Sequence, residues 1–358
     1  MKKRLILAIN PGSTSTKIAV FEEDTLVFHK NIEHNKDELS QFEKIIDQFL
    51  FRKKLVLDEL KNRNIQLSEI KAVVGRGGLV KPIESGVYTV NERLLEDLKS
   101  GVMGKHASNL GGLIAHDIAF KLPNCLSFIV DPVVVDEMNE VAKVSGCPEI
   151  RRKSIFHALN HKAVARMYAA SIGKRYEELN LIIAHLGGGV SVGAHCNGRV
   201  IDVNNALDGD GPFSPERSGG LPAKQLAELC FGGKYAPNEV YSMITGKGGM
   251  TAYLGTSNFR EISKMALDGN EAALLVCDAF AYQAAKEIGS MAAVLKGKVD
   301  AIILTGGIVH DKAITEKIRQ MTEFIAEIIV YPGEDEMKAL VFNVLLALDN
   351  KIDIRTYL

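Results

Sequence analysis

Apolar residues fall in short runs along this chain, and each run stops at a cluster of turn formers. Residues 5–10 read as a buried strand, 17–22 alternate as a half-buried one, and 25–32 read as a third. Asp37 is placed to cap a long amphipathic helix that ends near Asn62. Residues 70–74 form a short buried strand that stops at Gly75-Arg76-Gly77-Gly78, and 126–130 form another, ending at Asp131-Pro132. A helix over 160–172 is stopped by Gly173. A long alanine-rich helix covers about 271–295, and a helix around 335–348 closes the chain.

The order of these runs repeats. Leu181-Ile-Ile-Ala-His-Leu-Gly-Gly-Gly-Val-Ser-Val-Gly-Ala-His195 re-enacts Leu5-Ile-Leu-Ala-Ile-Asn-Pro-Gly-Ser-Thr-Ser-Thr-Lys-Ile-Ala19: an apolar strand, a small-residue turn and an alternating return strand. Later in each half, Ile70-Lys-Ala-Val-Val-Gly75 is echoed by Asp300-Ala-Ile-Ile-Leu-Thr-Gly-Gly307. Two echoes in one order imply two copies of one α/β domain, 1–172 and 173–358, with the final helix able to pack back on the first. A length of 358 residues, beyond what one core usually supports, agrees with two domains.

Composition narrows the class. A hydrophobic content of 46% describes an ordinary globular chain. With 43 basic and 44 acidic residues spread evenly, neither nucleic acid nor an anionic membrane is the expected partner. Cys125, Cys147, Cys196, Cys230 and Cys277 are odd in number and widely spaced, and they read as reduced thiols. The apolar run after Arg4 is too short for a signal peptide, and no run approaches ~18 residues, so a cytoplasmic location is expected.

The turns carry the candidate chemistry. A strand ending in Gly, Ser and Thr offers backbone N–H groups and hydroxyls with little bulk, which suits a phosphate chain. Asn10-Pro-Gly-Ser-Thr-Ser-Thr-Lys17 adds a cation, Gly187-Gly188-Gly189 allows close backbone approach, and Thr305-Gly306-Gly307-Ile308 ends a buried strand. No Gly-Lys pair is followed by Ser or Thr, and no glycines have the G-x-G-x-x-G spacing. A Walker loop, the dinucleotide fingerprint and the protein-kinase loop are therefore absent. His157 and His161 stand four apart, yet the glutamate of a zinc H-E-x-x-H motif is missing.

With these residues assembled, the sequence resembles the acetate and butyrate kinase family, part of the superfamily of sugar kinases, heat-shock chaperone ATPases and actin. The resemblance rests on the 10–17 turn, Arg76, Asp131, Phe156-His-Ala-Leu-Asn-His161, His185-Leu-Gly-Gly-Gly189, Arg217-Ser-Gly219 and Thr305-Gly-Gly307. The wording of Gly75-Arg-Gly-Gly-Leu-Val-Lys-Pro82 and Asp202-Val-Asn-Asn-Ala-Leu207 is similar to the butyrate kinase branch. The resemblance implies two ribonuclease-H-like (actin-type ATPase) domains, a nucleotide in the cleft between them, and a homodimer or larger homo-oligomer. It implies ATP-dependent phosphorylation of a short aliphatic carboxylate with ATP/ADP and Mg2+. Butyrate is the first choice of acid, and isobutyrate, acetate or propionate are the alternatives. A chaperone-like ATPase without an acyl acceptor is the distant rival.

Roles follow position by position from the same resemblance. Arg76 and Arg217 match the family's paired arginines, with a structural ion pair as the alternative for either, and His157 matches its active-site histidine, with His161 expected to support it structurally. Asp131 and Glu336 match its magnesium-associated acids, with Asp335 open as the alternative to Glu336. Asn10, Ser13, Ser15 and Lys17 match the first phosphate turn, and Asn258 and Arg260 lie where the family contacts adenosine. His185 is expected beside the phosphates, a satisfied core histidine being the alternative. Asp131 has a turn-capping alternative. His106 and Phe156 are candidates for the acid pocket, with an ordinary loop histidine as the alternative for His106. The chain departs from acetate kinases at Gly188, where they carry asparagine.

Acetate kinases also commonly place a bulky apolar residue just after the first arginine, where this chain has Gly77 and Gly78. The missing volume is expected to admit two further methylenes, each contributing up to ~0.8 kcal/mol when buried, or roughly a tenfold preference for butyrate over acetate, the alternative being that these glycines only permit a tight turn beside Arg76. On that expectation Gly78→Val leaves the protein folded and shifts its preference toward acetate and propionate, as relative rates with the three acids would report.

Overall fold

Strands that bury both faces read as nearly unbroken apolar runs, and the runs at residues 5–11 and 180–186 become interior strands of two sheets. The computed structural model describes residues 4–358. Its first sheet contains β1 (Leu5–Pro11), β2 (Ser15–Glu22), β3 (Thr25–Glu33), β4 (Ile70–Arg76), β5 (Val87–Thr89), β6 (Leu126–Val130) and, from the far end of the chain, β12 (Ile354–Thr356). Its second contains β7 (Asn180–Leu186), β8 (Val190–Cys196), β9 (Arg199–Val203), β10 (Ala301–Gly306) and β11 (Ile328–Pro332).

The two sheets share one plan. In the first, β1, β2 and β3 form an antiparallel meander, β4 lies parallel to β1, and β6 lies parallel to β4. In the second, β7, β8 and β9 repeat the meander, β10 lies parallel to β7, and β11 lies parallel to β10. The sequence echoes mark this repetition, since β1 and β2 correspond to β7 and β8, and β4 corresponds to β10.

The boundary differs from the one the echoes suggested. One unit comprises the chain up to Val135 together with Asp335–Leu358, and the other comprises Asp136–Glu334. The division does not fall at 172, because the helix Ala158–Ser171 packs Val164, Ala165, Tyr168 and Ala169 against Leu181 and Ile183 of β7 and Ala301 and Ile303 of β10. The closing helix Glu336–Leu348 packs on β1, β4 and β6 and so belongs to the first unit.

The long helix expected from Asp37 to Asn62 is broken. Asn35 takes the capping position: its side chain accepts from the Glu38 N–H at 2.7 Å, and the Glu38 carboxylate accepts from the Asn35 N–H at 3.0 Å. The short helix Lys36–Ser40 ends there, and a second one, Phe49–Asn62, starts in a register that turns Arg52 inward. β4 also runs two residues further than the apolar pattern, through Gly75 and Arg76. Among the described residues no helix is long and apolar enough to cross a membrane.

The helix Glu271–Val294 lies along β7 and β8 and draws Glu287 toward Asp210, Asp202 and Arg152. Arg152 is already engaged by Asp202 at 2.8 Å and Asp210 at 3.7 Å. Burial, and then the Asp210 charge, push the Glu287 carboxyl from 4.5 up to about 7. A carboxyl raised on folding contributes stability that is complete below its unfolded value of 4.5 and lost as pH rises through about 7. Glu287→Gln, which fixes the neutral form, therefore raises the thermal midpoint at pH 8 and changes it much less at pH 5. An equal shift at both pH values would contradict this.

Candidate active site

In the first unit the site is built around Arg76. The helix Asn109–Phe120 crosses β4 so closely that a Cβ on Gly75 would lie 2.2 Å from the Gly111 backbone, and only glycines permit this approach. Arg76, the next residue, is 9% exposed and pairs its guanidinium with Glu336. The Asn10 side-chain amide donates to the other oxygen of the same carboxylate. Asp335 is occupied elsewhere, as the cap of the closing helix, accepting from the Lys338 N–H at 3.0 Å. Of the two adjacent acids, Glu336 is the one joined to Arg76 and Asn10. Asp131 holds a positive φ of 37° at the end of β6, and its Oδ1 accepts from Ser85 Oγ at 2.7 Å and the Gly86 N–H at 2.8 Å.

The turn after β1 rests on a cation that the sequence did not reveal. Arg52 is fully buried and donates to the carbonyls of Gly12 (2.9 Å), Ser13 (3.2 Å) and Ser15 (2.8 Å), and to Thr16 Oγ1 (3.0 Å). Desolvation lowers its guanidinium to about 10, which leaves it charged at neutral pH. The carbonyls of the turn thus face inward, Ser13 is exposed, and Lys17 sits opposite Asn10 in the β1–β2 register.

Gly77 and Gly78 do not leave the room expected of them. A Cβ at Gly78 would fall 2.6 Å from Asn109 Cα and 2.4 Å from its Oδ1, and one at Gly77 would fall 2.6 Å from Pro132 Cβ. Asn109 is fixed there, with Oδ1 accepting from the Leu79 N–H at 2.8 Å and Nδ2 donating to Gly104 O at 2.9 Å. The space a valine side chain would fill is already occupied, so these glycines serve close packing beside Arg76. They do not enlarge an acid pocket. His106, held by Ser108 Oγ at 2.9 Å, borders a cavity of about 150 Å3 together with Lys44, Lys99 and Lys105.

In the second unit His157 and His185 lie face to face, ring centres 3.8 Å apart and planes 12° from parallel. His185 Nδ1 is 2.8 Å from Asn160 Oδ1, and its Nε2 stands 3.6 Å from Glu334 Oε2. It is therefore both a satisfied buried histidine and the neighbour of His157. Phe156 is buried, edge-on to His161, with centroids 5.2 Å apart.

The turn Gly187-Gly188-Gly189 begins at the end of β7, and Arg217 fills the space beside Gly189, where a Cβ would lie 1.9 Å from Nη1. Arg217 Nη1 donates to Ala206 O at 2.6 Å, and Ser214 Oγ ties its loop to the turn by donating to Gly188 O at 2.7 Å. Burial lowers the Arg217 guanidinium from its ordinary value, with the Glu216 and Asp208 charges acting the other way. Gly306 closes β10 at φ 94° and exchanges backbone hydrogen bonds with Gly333, and Gly307 and Ile308 follow in a tight turn. Asn258 caps the helix Phe259–Leu267 by accepting from the Arg260 N–H at 3.2 Å, and both residues are exposed.

Within each unit, then, the structure joins Asn10, Arg76 and Glu336, and separately His157, His185, the glycine turn and Arg217. Sequence reasoning missed Arg52, Ser214, Ser191, His195 and Tyr176. Among the described residues no group of three or more His, Cys, Asp or Glu side chains could hold a metal ion.

Comparison with known proteins gives this arrangement a context. The sequence profile of the Acetokinase family matches residues 141–328. Butyrate kinase 1 of Clostridium acetobutylicum is 56% identical over 335 residues, 94% of this chain and 94% of its own. Butyrate kinase 2 of the same organism is 55% identical over 352 residues, covering 98% of this chain and 99% of its own. The crystal structure of Porphyromonas gingivalis acetate kinase superposes with a TM-score of 0.75 at 21% identity, over 94% of this chain and 98% of that one, a likeness of fold.

The packing at the two glycine sites separates their substitutions. Gly78→Val displaces Asn109 and lowers the thermal midpoint sharply or prevents folding. Gly188→Asn, with nothing within 4 Å of the missing Cβ, leaves the midpoint unchanged. Thermal melts of the pair check this, and a Gly78→Val protein as stable as wild type would refute the contact.

Proposed function

We propose that this chain, which belongs to the acetokinase family, transfers the γ-phosphoryl group of ATP reversibly and directly to a short aliphatic carboxylate, butyrate before others. The products are ADP and butyryl phosphate. The choice of acid is carried by the 55–56% identity with two butyrate kinases along nearly the whole chain.

The chemistry asks little covalent help of the protein. A carboxylic acid with a pKa of ~4–5 is already ionised at neutral pH, so its oxygen attacks without a general base. The barrier is repulsion, because an anion must approach a polyanionic phosphate, and positioned cations lower it. Arg217, pinned by Ala206 O beside the glycine turn, presents a planar, permanently charged donor to equatorial phosphoryl oxygens. Arg76, oriented by Glu336, presents the second, and its proposed partner is the carboxylate of the acid. His157 donates a hydrogen bond to the transferring group, and His185 supports its ring by stacking. The turns at 10–17, 187–189 and 306–308 are proposed to hold the nucleotide's phosphates, and Asn258 and Arg260 its adenosine.

Asp131 and Glu336 are the acids that would hold Mg2+. Glu336 already accepts from Arg76 and Asn10, and Asp131 Oδ1 from Ser85 and Gly86, so they suit contact through water with an ion that keeps several waters and takes further oxygens from phosphates. Magnesium at these two acids would neutralise phosphate charge.

Rates with a panel of acids, trapping the acyl phosphate with hydroxylamine, test the substrate. Butyrate is expected to give the highest kcat/KM, above isobutyrate, propionate and acetate, and a higher value with acetate would contradict the choice. Arg217→Ala is expected to stay folded and lose on the order of 10²–10³ in kcat, with only partial recovery in Arg217→Lys, which lacks the planar fork. Arg76→Ala is a less clean test, since it strands Glu336 and costs about 3–5 kcal/mol in stability. Near-wild-type turnover by folded Arg217→Ala would count against the assignment.

A further inference from the structure

Behind His157 runs an unbroken hydrogen-bonded chain of buried side chains. His157 Nδ1 is 2.9 Å from Ser191 Oγ, and the same oxygen is 2.9 Å from His161 Nε2. His161 Nδ1 is 3.1 Å from His195 Nε2, and His195 Nδ1 is 2.6 Å from the Tyr176 hydroxyl. Two spacings build it. His157 and His161 stand one turn apart at the start of the helix Ala158–Ser171, and Ser191 and His195 share one face of β8. The four residues therefore alternate between helix and strand. Ser191, His161 and His195 are each fully buried, and Tyr176 is 4% exposed.

A serine hydroxyl carries one proton and two lone pairs, so with the buried Ser191 proton directed at a ring nitrogen of the chain only two directions remain. Complete burial lowers both His161 and His195 well below ordinary histidine, so each carries one ring proton and offers one donor and one acceptor. The Lys162 ammonium, paired with Glu137 at 2.7 Å, acts on both rings in the same sense, and His185 does so on His161. At the far end a phenol meets an imidazole nitrogen. Tyrosine is the better donor of the two and imidazole nitrogen the better acceptor, which sets the direction. Tyr176 donates to His195 Nδ1, His195 Nε2–H to His161 Nδ1, His161 Nε2–H to Ser191 Oγ, and the Ser191 hydroxyl to His157 Nδ1.

We propose that Ser191, His161, His195 and Tyr176 are positioning residues that fix the tautomer of His157, keeping Nδ1 an acceptor and the ring proton on Nε2. His157 then serves as a neutral donor toward the phosphoryl group without having to be protonated. Its stacking on His185, which faces Glu334 at 3.6 Å, is compatible with a neutral His157 ring and would oppose two adjacent imidazolium charges. The catalytic part of this inference rests on the kinase reading above, whereas the tautomer itself does not.

The test is therefore made without substrate. In protein labelled with 15N at its nine histidines, two-bond 15N–1H correlation spectra at pH 7 report the tautomer of each ring, and His157→Asn identifies the His157 signals. His157 is expected as the Nε2–H form with a bare Nδ1, and His161 and His195 as single neutral Nε2–H tautomers. Ser191→Ala converts His157 to a mixture of tautomers, and Ser191→Thr, which keeps the hydroxyl, restores the single form. If the kinase reading also holds, Ser191→Ala loses about tenfold in kcat, the worth of one ordinary hydrogen bond, while KM for ATP stays within about twofold. A wild-type His157 with its proton on Nδ1 overturns the relay, as does an imidazolium at His161, and the wild-type spectrum decides this even if the variants do not fold. Absence of carboxylate kinase activity beside the expected spectrum would overturn the function and leave the relay standing.

Discussion

The Arg76 guanidinium, 9% exposed, is neutralised by a residue 260 positions later, Glu336. That pairing organises the first unit. It gives the chain's return from Glu334 a fixed destination, with the closing helix starting at this carboxylate and then packing along β1, β4 and β6. Asn10 on β1 completes the arrangement, so two parallel strands and a helix N-terminus meet at one polar cluster. An acid in the first turn is also the favourable charge for a helix N-terminus, and Asp335 and Glu336 divide the work, one capping and one pairing.

The second unit handles polar burial in a different way. Its Arg217 leans on a carbonyl, and its buried histidines are neutral and satisfied by one another. A neutral chain avoids the desolvation cost of ions, in contrast to the buried Lys162–Glu137 pair of the same unit.

The central strands were legible because burial on both faces leaves nearly continuous apolar runs, and the duplication was legible because those runs recur in the same order as β1, β2, β4 and β7, β8, β10. What stayed hidden depends on partners distant in the chain. Arg52 reads as part of a solvated helix face until the 12–16 turn is seen above it. The i, i+4 spacing of His157 and His161 showed a shared face but not the strand residues interleaved with them. Gly78 read as missing volume because a sequence does not show that Asn109 fills the space. The domain boundary was misplaced for a related reason: the helix Ala158–Ser171 carries apolar residues suited to either sheet, and only contact with β7 and β10 assigns it to the second.

Isotope position tests most directly whether a carboxylate oxygen attacks the γ-phosphorus of ATP. The protein is incubated with MgATP and butyrate labelled with 18O in both carboxyl oxygens, and the product is read by 31P NMR. The account predicts butyryl phosphate whose phosphorus bears one 18O in the bridging position, formed in step with ADP. Inorganic phosphate as the sole phosphorus product beside ADP, or an acyl phosphate whose phosphorus carries no 18O, would contradict it.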